Sequence, residues 1–188
     1  MDEGYTKYGP TPGLPELRQS IAKYISRTRG IDVGPDNVCV TPGGKPIMYF
    51  AIMALLEDGD EAIIPDPGFP IYESMVRYQG AKAVPIKLQE NRGFSLDVGE
   101  LAGKLTDRTK MVILNTPHNP TGKVYSRDEL RVVADLCQKH DVIAITDEVY
   151  EHMAYAPHVH RSAASYPGLA ERAFVVSSFG KTYHVTGW

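Results

Sequence analysis

The sequence is poor in several things, and each shortage removes a class of protein. Only two of its 188 residues are cysteine, Cys39 and Cys137, far apart and outside any C-x-x-C spacing. That excludes a disulfide framework and a cysteine-type zinc site, and it suits a reducing, cytoplasmic setting. Charge of one sign does not accumulate either: 20 Lys+Arg stand against 23 Asp+Glu, a formal net charge of -3. There is thus no electrostatic footprint for nucleic acid or for an acidic membrane surface. No apolar run approaches the roughly 18 residues of a membrane span, and the acidic start Met1-Asp2-Glu3-Gly4 is unlike a signal peptide. Internal repeats, low-complexity tracts and an interdomain linker are also missing. What remains, 43% hydrophobic and 23% charged residues, describes an ordinary soluble globular chain able to bury a sizeable core.

Short Val- and Ile-rich runs alternate with stretches of helical period, the pattern of an α/β fold with a mostly parallel sheet. A first helix is predicted from Leu14-Pro15 to Gly30, with Leu17, Ile21, Tyr24 and Ile25 as its apolar stripe. Asn37-Val38-Cys39-Val40-Thr41 reads as a strand, Pro42-Gly43-Gly44 as a turn, and Lys45 to Leu56 as a buried helix. Glu61-Ala62-Ile63-Ile64 is a second strand, followed by the breakers Pro65-Asp66-Pro67-Gly68 and a helix from about Pro70 to Tyr78. Further strands are expected over Ala83 to Leu88, Met111 to Leu114, Val142 to Ile145 and Phe174 to Val176. Their weak alternation predicts burial on both faces. Ser126-Arg127-Asp128-Glu129 is a capping box opening a helix that ends near His140.

Ligands of open parallel sheets bind outside the carboxyl ends of the strands, where loops and helix N-termini converge. Those ends carry Thr41-Pro42-Gly43-Gly44-Lys45, Pro65-Asp66-Pro67-Gly68-Phe69, Asn115 to Gly122, Asp147-Glu148-Val149-Tyr150 and Ser177-Ser178-Phe179-Gly180-Lys181. The dinucleotide fingerprint G-x-G-x-x-G is absent. So is the serine elbow G-x-S-x-G, and Pro46 and Cys39 spoil a phosphate-binding P-loop around Gly44-Lys45. His158-x-His160 is the only close histidine pair and reads as a solvated loop. An anion cradle, a stacking ring, an amide, a carboxylate with a phenol, and a lysine on successive strand ends suit pyridoxal phosphate chemistry. There a lysine holds the cofactor as a Schiff base and a carboxylate keeps the pyridine nitrogen protonated.

The same residues closely resemble the class I, aspartate aminotransferase-like family of fold type I pyridoxal phosphate enzymes, over about Tyr5 to Trp188. The resemblance implies a three-layer α/β/α large domain over residues 14–188, preceded by an N-terminal arm over 1–13. It implies that Lys181, in Ser178-Phe179-Gly180-Lys181-Thr182-Tyr183, is the Schiff-base lysine and proton shuttle. Asp147 is then the partner of the pyridine nitrogen, and Tyr150 and Asn119 share the cofactor's 3-oxygen. Phe69 stacks on the ring, while Gly43, Gly44, Lys45 and Ser178 hold the phosphate. Tyr8 is similar to a tyrosine that reaches the phosphate of the neighbouring subunit, which implies a homodimer with shared active sites.

Members of the family also carry an N-terminal segment and a long C-terminal half with a small domain. The resemblance therefore implies a fragment, ending just after the Schiff-base lysine, and these residues alone are expected to be weakly stable and of low or no activity. The implied reaction moves an amino group from an L-amino acid to a 2-oxo acid. Related sites perform C–S β-elimination or serve as non-enzymatic regulatory modules. The front of the chain is similar to aspartate-type members and Val176 to His184 to the methionine and kynurenine type, so the amino donor stays open.

Overall fold

A computed structural model describes residues 6–187; Met1 to Tyr5 and the closing Trp188 of the motifs above lie outside the described residues. The chain divides into two compact units, one ending at Pro42 and one beginning at Gly43. In the first, α1 runs Pro15–Arg29, with proline in its opening turn and Gly30 closing it in the left-handed conformation, as the sequence predicts. Leu17, Ile21, Tyr24 and Ile25 are half-buried around the buried Ala22. Gly13 is required where it stands: its φ is 105°, and a Cβ there would lie 2.8 Å from that of Val40.

The strand expected over Asn37 to Thr41 does not form among the described residues. Pro35–Asn37 is a single 3-10 turn, and the backbone after it is satisfied locally. Val40 N–H donates to the Pro12 carbonyl (2.9 Å) and Arg18 Nε to that of Val38 (2.9 Å). β-propensity makes a segment fit for a sheet, but only a paired neighbour makes it a strand.

The second unit holds a five-stranded sheet of β1 (Glu61–Asp66), β2 (Lys82–Lys87), β3 (Thr109–Asn115), β4 (Ile143–Asp147) and β5 (Ala173–Val176). Its order is β2-β1-β3-β4-β5 and every pairing is parallel. The helices are α2 (Lys45–Leu55), α3 (Ile71–Tyr78), α4 (Val98–Lys104), α5 (Arg127–His140) and the short α6 (Phe179–Thr182). Strand alternation sorts the core into two layers. Met111, Ile113 and Ile145 face Ile52 of α2 and Tyr72 and Val76 of α3. Val112, Leu114 and Ala144 face Leu101 of α4 and Leu130, Val133 and Cys137 of α5. This is the three-layer α/β/α arrangement, with both faces of the central strands covered. Each large apolar side chain fully buried there contributes about 1.5–3 kcal/mol.

Burial on both faces holds for β1, β3 and β4 but not for β2 and β5. Those two stand at the ends of the described order, where only one neighbouring strand shields them. The capping box forms as read: Ser126 Oγ accepts the Glu129 N–H (3.2 Å) and the Glu129 carboxylate accepts the Ser126 N–H (2.6 Å). Helix α4 was not legible. Seven residues long and carrying Gly99 and Gly103, it begins where Asp97 accepts the Glu100 N–H (3.0 Å). Burial pushes the Cys137 thiol up to about 12. Among the described residues, no helix is long and apolar enough to cross a membrane.

Candidate active site

Because the strands are parallel, their carboxyl ends share one edge of the sheet. The register sets Asn115 beside Asp147 and Asp147 beside Val176. The turn opening α2 reaches the same edge, since a Cβ on Gly44 would lie 3.5 Å from Val176 Cγ1 and 3.9 Å from Val149 Cγ1.

Asp147 ends β4 and is 8% exposed. Its Oδ2 accepts a 2.6 Å hydrogen bond from the Tyr72 hydroxyl, and its Oδ1 is 3.4 Å from the Val149 N–H. Asn115 ties the neighbouring strand to it: Nδ2 donates to the Asp147 carbonyl (2.9 Å), while Oδ1 accepts the Asn119 N–H (2.7 Å). Burial raises the Asp147 carboxyl above the ordinary range, opposed by the Tyr72 hydrogen bond. The Tyr72 phenol is raised too, by burial first and by the Asp147 charge second. It therefore stays a donor, and one carboxylate oxygen is held while the other has only a long amide contact.

Phe69 lies one turn before Tyr72, the two rings meeting edge to face at 5.8 Å between centroids, with Lys45 Nζ 6.0 Å from the Phe69 centroid. The loop reaches this position because residue 68 is glycine: a Cβ there would lie 2.4 Å from the Pro65 carbonyl oxygen. On the other side, Lys181 Nζ lies 5.8 Å from the centre of the Tyr150 ring. Ser178 Oγ accepts the Gly180 N–H (3.2 Å) and so caps the short helix that carries Lys181. Next to Asn119, the buried His118 has Nδ1 2.8 Å from Thr121 Oγ1. Burial lowers its pKa to about 4, so its imidazole is neutral at neutral pH.

Of the residues singled out from sequence, Gly44, Lys45, Phe69, Asn119, Asp147, Tyr150, Ser178 and Lys181 are therefore held at or next to this edge, and Gly43 precedes Gly44 in the same turn with φ 89°. Tyr8 belongs to the first compact unit and is fully exposed. Tyr72 and Asn115 were given no role from sequence. Tyr72 is one of 11 tyrosines, and its only local signal is its place three residues after Phe69. Asn115 could have been noticed as the one polar residue closing the run Met111 to Leu114. The histidine pair is not a uniformly solvated loop. His158 is exposed, whereas the side chain of His160 is only 10% exposed, with Nε2 3.2 Å from Glu148 Oε2. Among the described residues no group of three or more His, Cys, Asp or Glu side chains could hold a metal ion.

The family model described as aminotransferase class I and II matches residues 1–188. The chain is 45% identical over 193 residues to kynurenine–oxoglutarate transaminase 1 of Homo sapiens, covering 97% of this chain and 46% of that protein. It is 41% identical over 189 residues to an aspartate aminotransferase of Pyrococcus abyssi, covering 100% of this chain and 49% of that protein. Among solved structures, the aromatic aminotransferase of Pyrococcus horikoshii superposes with a TM-score of 0.96 at 41% identity, over 100% of this chain and 50% of that one. The chain thus spans about half the length of the curated relatives it matches. It belongs to the class I and II aminotransferase family.

Proposed function

We propose that this chain supplies the cofactor-binding half of an aminotransferase that moves the amino group of an L-amino acid to a 2-oxo acid. One observation carries the reading: a buried carboxylate, Asp147, stands at the strand-end edge with Oδ2 held by Tyr72 and its ionised form disfavoured by burial. Such a group is stabilised by a cation arriving at Oδ1, and the protonated nitrogen of pyridoxal 5'-phosphate is a cation of the right kind. The residues therefore fit the cofactor. When bound, it supplies an electron-withdrawing ring.

The rest of the work falls to side chains. Lys181 offers its ε-amine as the covalent attachment point and, once released, moves a proton at the substrate carbon. Asp147 holds the proton on the pyridine nitrogen, and the Tyr72 hydroxyl keeps the carboxylate turned toward it. Tyr150 and Asn119 address the 3-oxygen, and Phe69 covers one ring face. Gly43, Gly44 and Lys45 open α2, whose N-terminus has no side-chain cap, and together with Ser178 they receive the phosphate. Residues 1–13 form an arm from which Tyr8 reaches the phosphate held by the other subunit of a homodimer, with 14–188 forming part of the large domain. The scarcity of cysteine supports a cytoplasmic setting.

The test is borohydride reduction of the purified chain with pyridoxal 5'-phosphate, followed by mapping of the labelled peptide. We expect the label at Lys181 and its loss in Lys181→Ala. Labelling only at Lys45 or another lysine contradicts the assignment. In the whole aminotransferase, loaded with cofactor, a single turnover with an L-amino acid should yield one equivalent of 2-oxo acid. Pyruvate with ammonia from a cysteine-like donor would mean elimination instead.

A further inference from the structure

Strand alternation at the end of β4 sends two neighbouring carboxylates to opposite faces of the sheet. Asp147 meets Tyr72, in the layer of α2 and α3. Glu148 meets the segment around Ala163, which packs in the layer of α4 and α5. Glu148 is fully buried, and the chemistry proposed above does not use it. Its Oε1 accepts from Ser162 Oγ (3.0 Å) and from the Ala163 N–H (3.0 Å), its Oε2 lies 3.2 Å from His160 Nε2, and its own N–H donates to the Val176 carbonyl (2.8 Å). The stretch between, including His152, Met153 and Tyr155 to Val159, is exposed and has little packing of its own to hold it. On the way out, Glu151 Oε1 accepts a 2.7 Å hydrogen bond from Ser177, the residue before the Ser178 cap of α6.

We infer that Glu148 is a positioning residue: by binding Ser162, Ala163 and His160 it pins the returning segment behind β4 and fixes the Asp147–Tyr150 turn in relation to Lys181. The inference rests on the pyridoxal phosphate reading of the site. Its physical basis is that hydrogen bonds to a fully buried carboxyl group are strong and directional. Removing the carboxylate leaves the Ser162 hydroxyl and Ala163 amide buried without an acceptor, which favours movement of the segment.

The test compares wild type with Glu148→Gln, Glu148→Ala and His160→Ala, each in the whole aminotransferase of which this chain is proposed to be the cofactor-binding half, prepared with and without pyridoxal 5'-phosphate. Three quantities are read: the cofactor concentration giving half-maximal borohydride labelling at Lys181, the pH midpoint of the visible absorption band before reduction, and the melting temperature without cofactor. Glu148→Ala should raise the half-labelling concentration about tenfold, equivalent to about 1.4 kcal/mol, and move the pH midpoint of the band. Glu148→Gln, which keeps an acceptor for Ser162 and Ala163, should stay within about threefold of wild type, a difference under about 0.7 kcal/mol. His160→Ala, which removes one partner only, should move the band midpoint in the same direction by less. A melting temperature that falls while the labelling concentration and band midpoint stay at wild-type values means a merely structural role and overturns the inference. If Glu148→Ala does not fold, His160→Ala decides, and an unmoved midpoint there is equally fatal. Wild-type whole protein that takes no label at Lys181 defeats the cofactor reading itself, and this inference with it.

Discussion

Two buried carboxylates at opposite ends of the sheet make the most instructive pair in the molecule. Glu61 opens β1 and is 2% exposed. Lys82 (3.0 Å), Arg108 (3.3 Å) and Thr106 (2.8 Å) surround it, and the Lys82 hydrogen bond, with that of Thr106 next, holds its carboxyl below the usual range. Asp147 closes β4 and is almost as buried, yet burial wins there and its carboxyl is raised. Glu61 has cations placed around it, whereas Asp147 has a phenol and a long amide contact. The amino end of the sheet is thus finished by its own residues, while at the carboxyl end the burial of Asp147 is opposed only in part by Tyr72, which suits the pairing with a cofactor cation proposed above.

The comparison can be broken most forcefully at Asp147. In cofactor-loaded protein, Asp147→Ala should leave covalent attachment at Lys181 intact but slow exchange of the substrate Cα proton with solvent by about a hundredfold or more. An unchanged exchange rate would remove Asp147 from that role. Next in size, Tyr72→Phe takes away the only short hydrogen bond that the Asp147 side chain makes among the described residues and should cost about 1.5–3 kcal/mol of stability at neutral pH, measured by denaturant unfolding. Glu61→Gln should cost less, about 1 kcal/mol, because Lys82 and Arg108 are largely exposed and regain water when the charge is lost. The smallest effect, and the sharpest in sign, is in pH. Asp147 has a raised folded-state pKa, so its contribution to stability is present below the ordinary carboxylate range and is lost as pH rises through the raised value. Glu61 has a lowered one, so its contribution is present above the ordinary range and is lost as pH falls through the lowered value. Without cofactor, Asp147→Asn should therefore gain stability over wild type at neutral pH, and Glu61→Gln should lose it. Both differences should shrink as melting temperatures are followed down through about pH 4.

Much of the fold was legible because its signals are local. Gly30 stops α1 in the left-handed conformation, and Ser126 with Glu129 opens α5 within four residues. Features that depend on distant chain were not. Asn37 to Thr41 has strand-like residues, but its backbone bonds go to loop and helix neighbours. Ala83 to Leu88 reads as a buried strand, until the described sheet order puts β2, Lys82–Lys87, at one end. The site divides the same way. That Asp147 and Tyr150 would stand at a strand end, with Lys181 and Ser178 on the segment after the last strand, was readable because motif and strand end coincide. Tyr72 was hidden because its partner is 75 residues away, and His160 because burial against Glu148 contradicts its polar, loop-like surroundings.

The central claim is that Asp147 is held in need of a cation, and carboxyl carbon NMR titration of Asp147 tests it most directly, in the chain alone and with pyridoxal 5'-phosphate fixed at Lys181. The account predicts a midpoint above the usual carboxylate range in the chain alone and a clear fall once the cofactor is in place. A midpoint at or below the usual range in the chain alone, or one that does not move on loading, would contradict it.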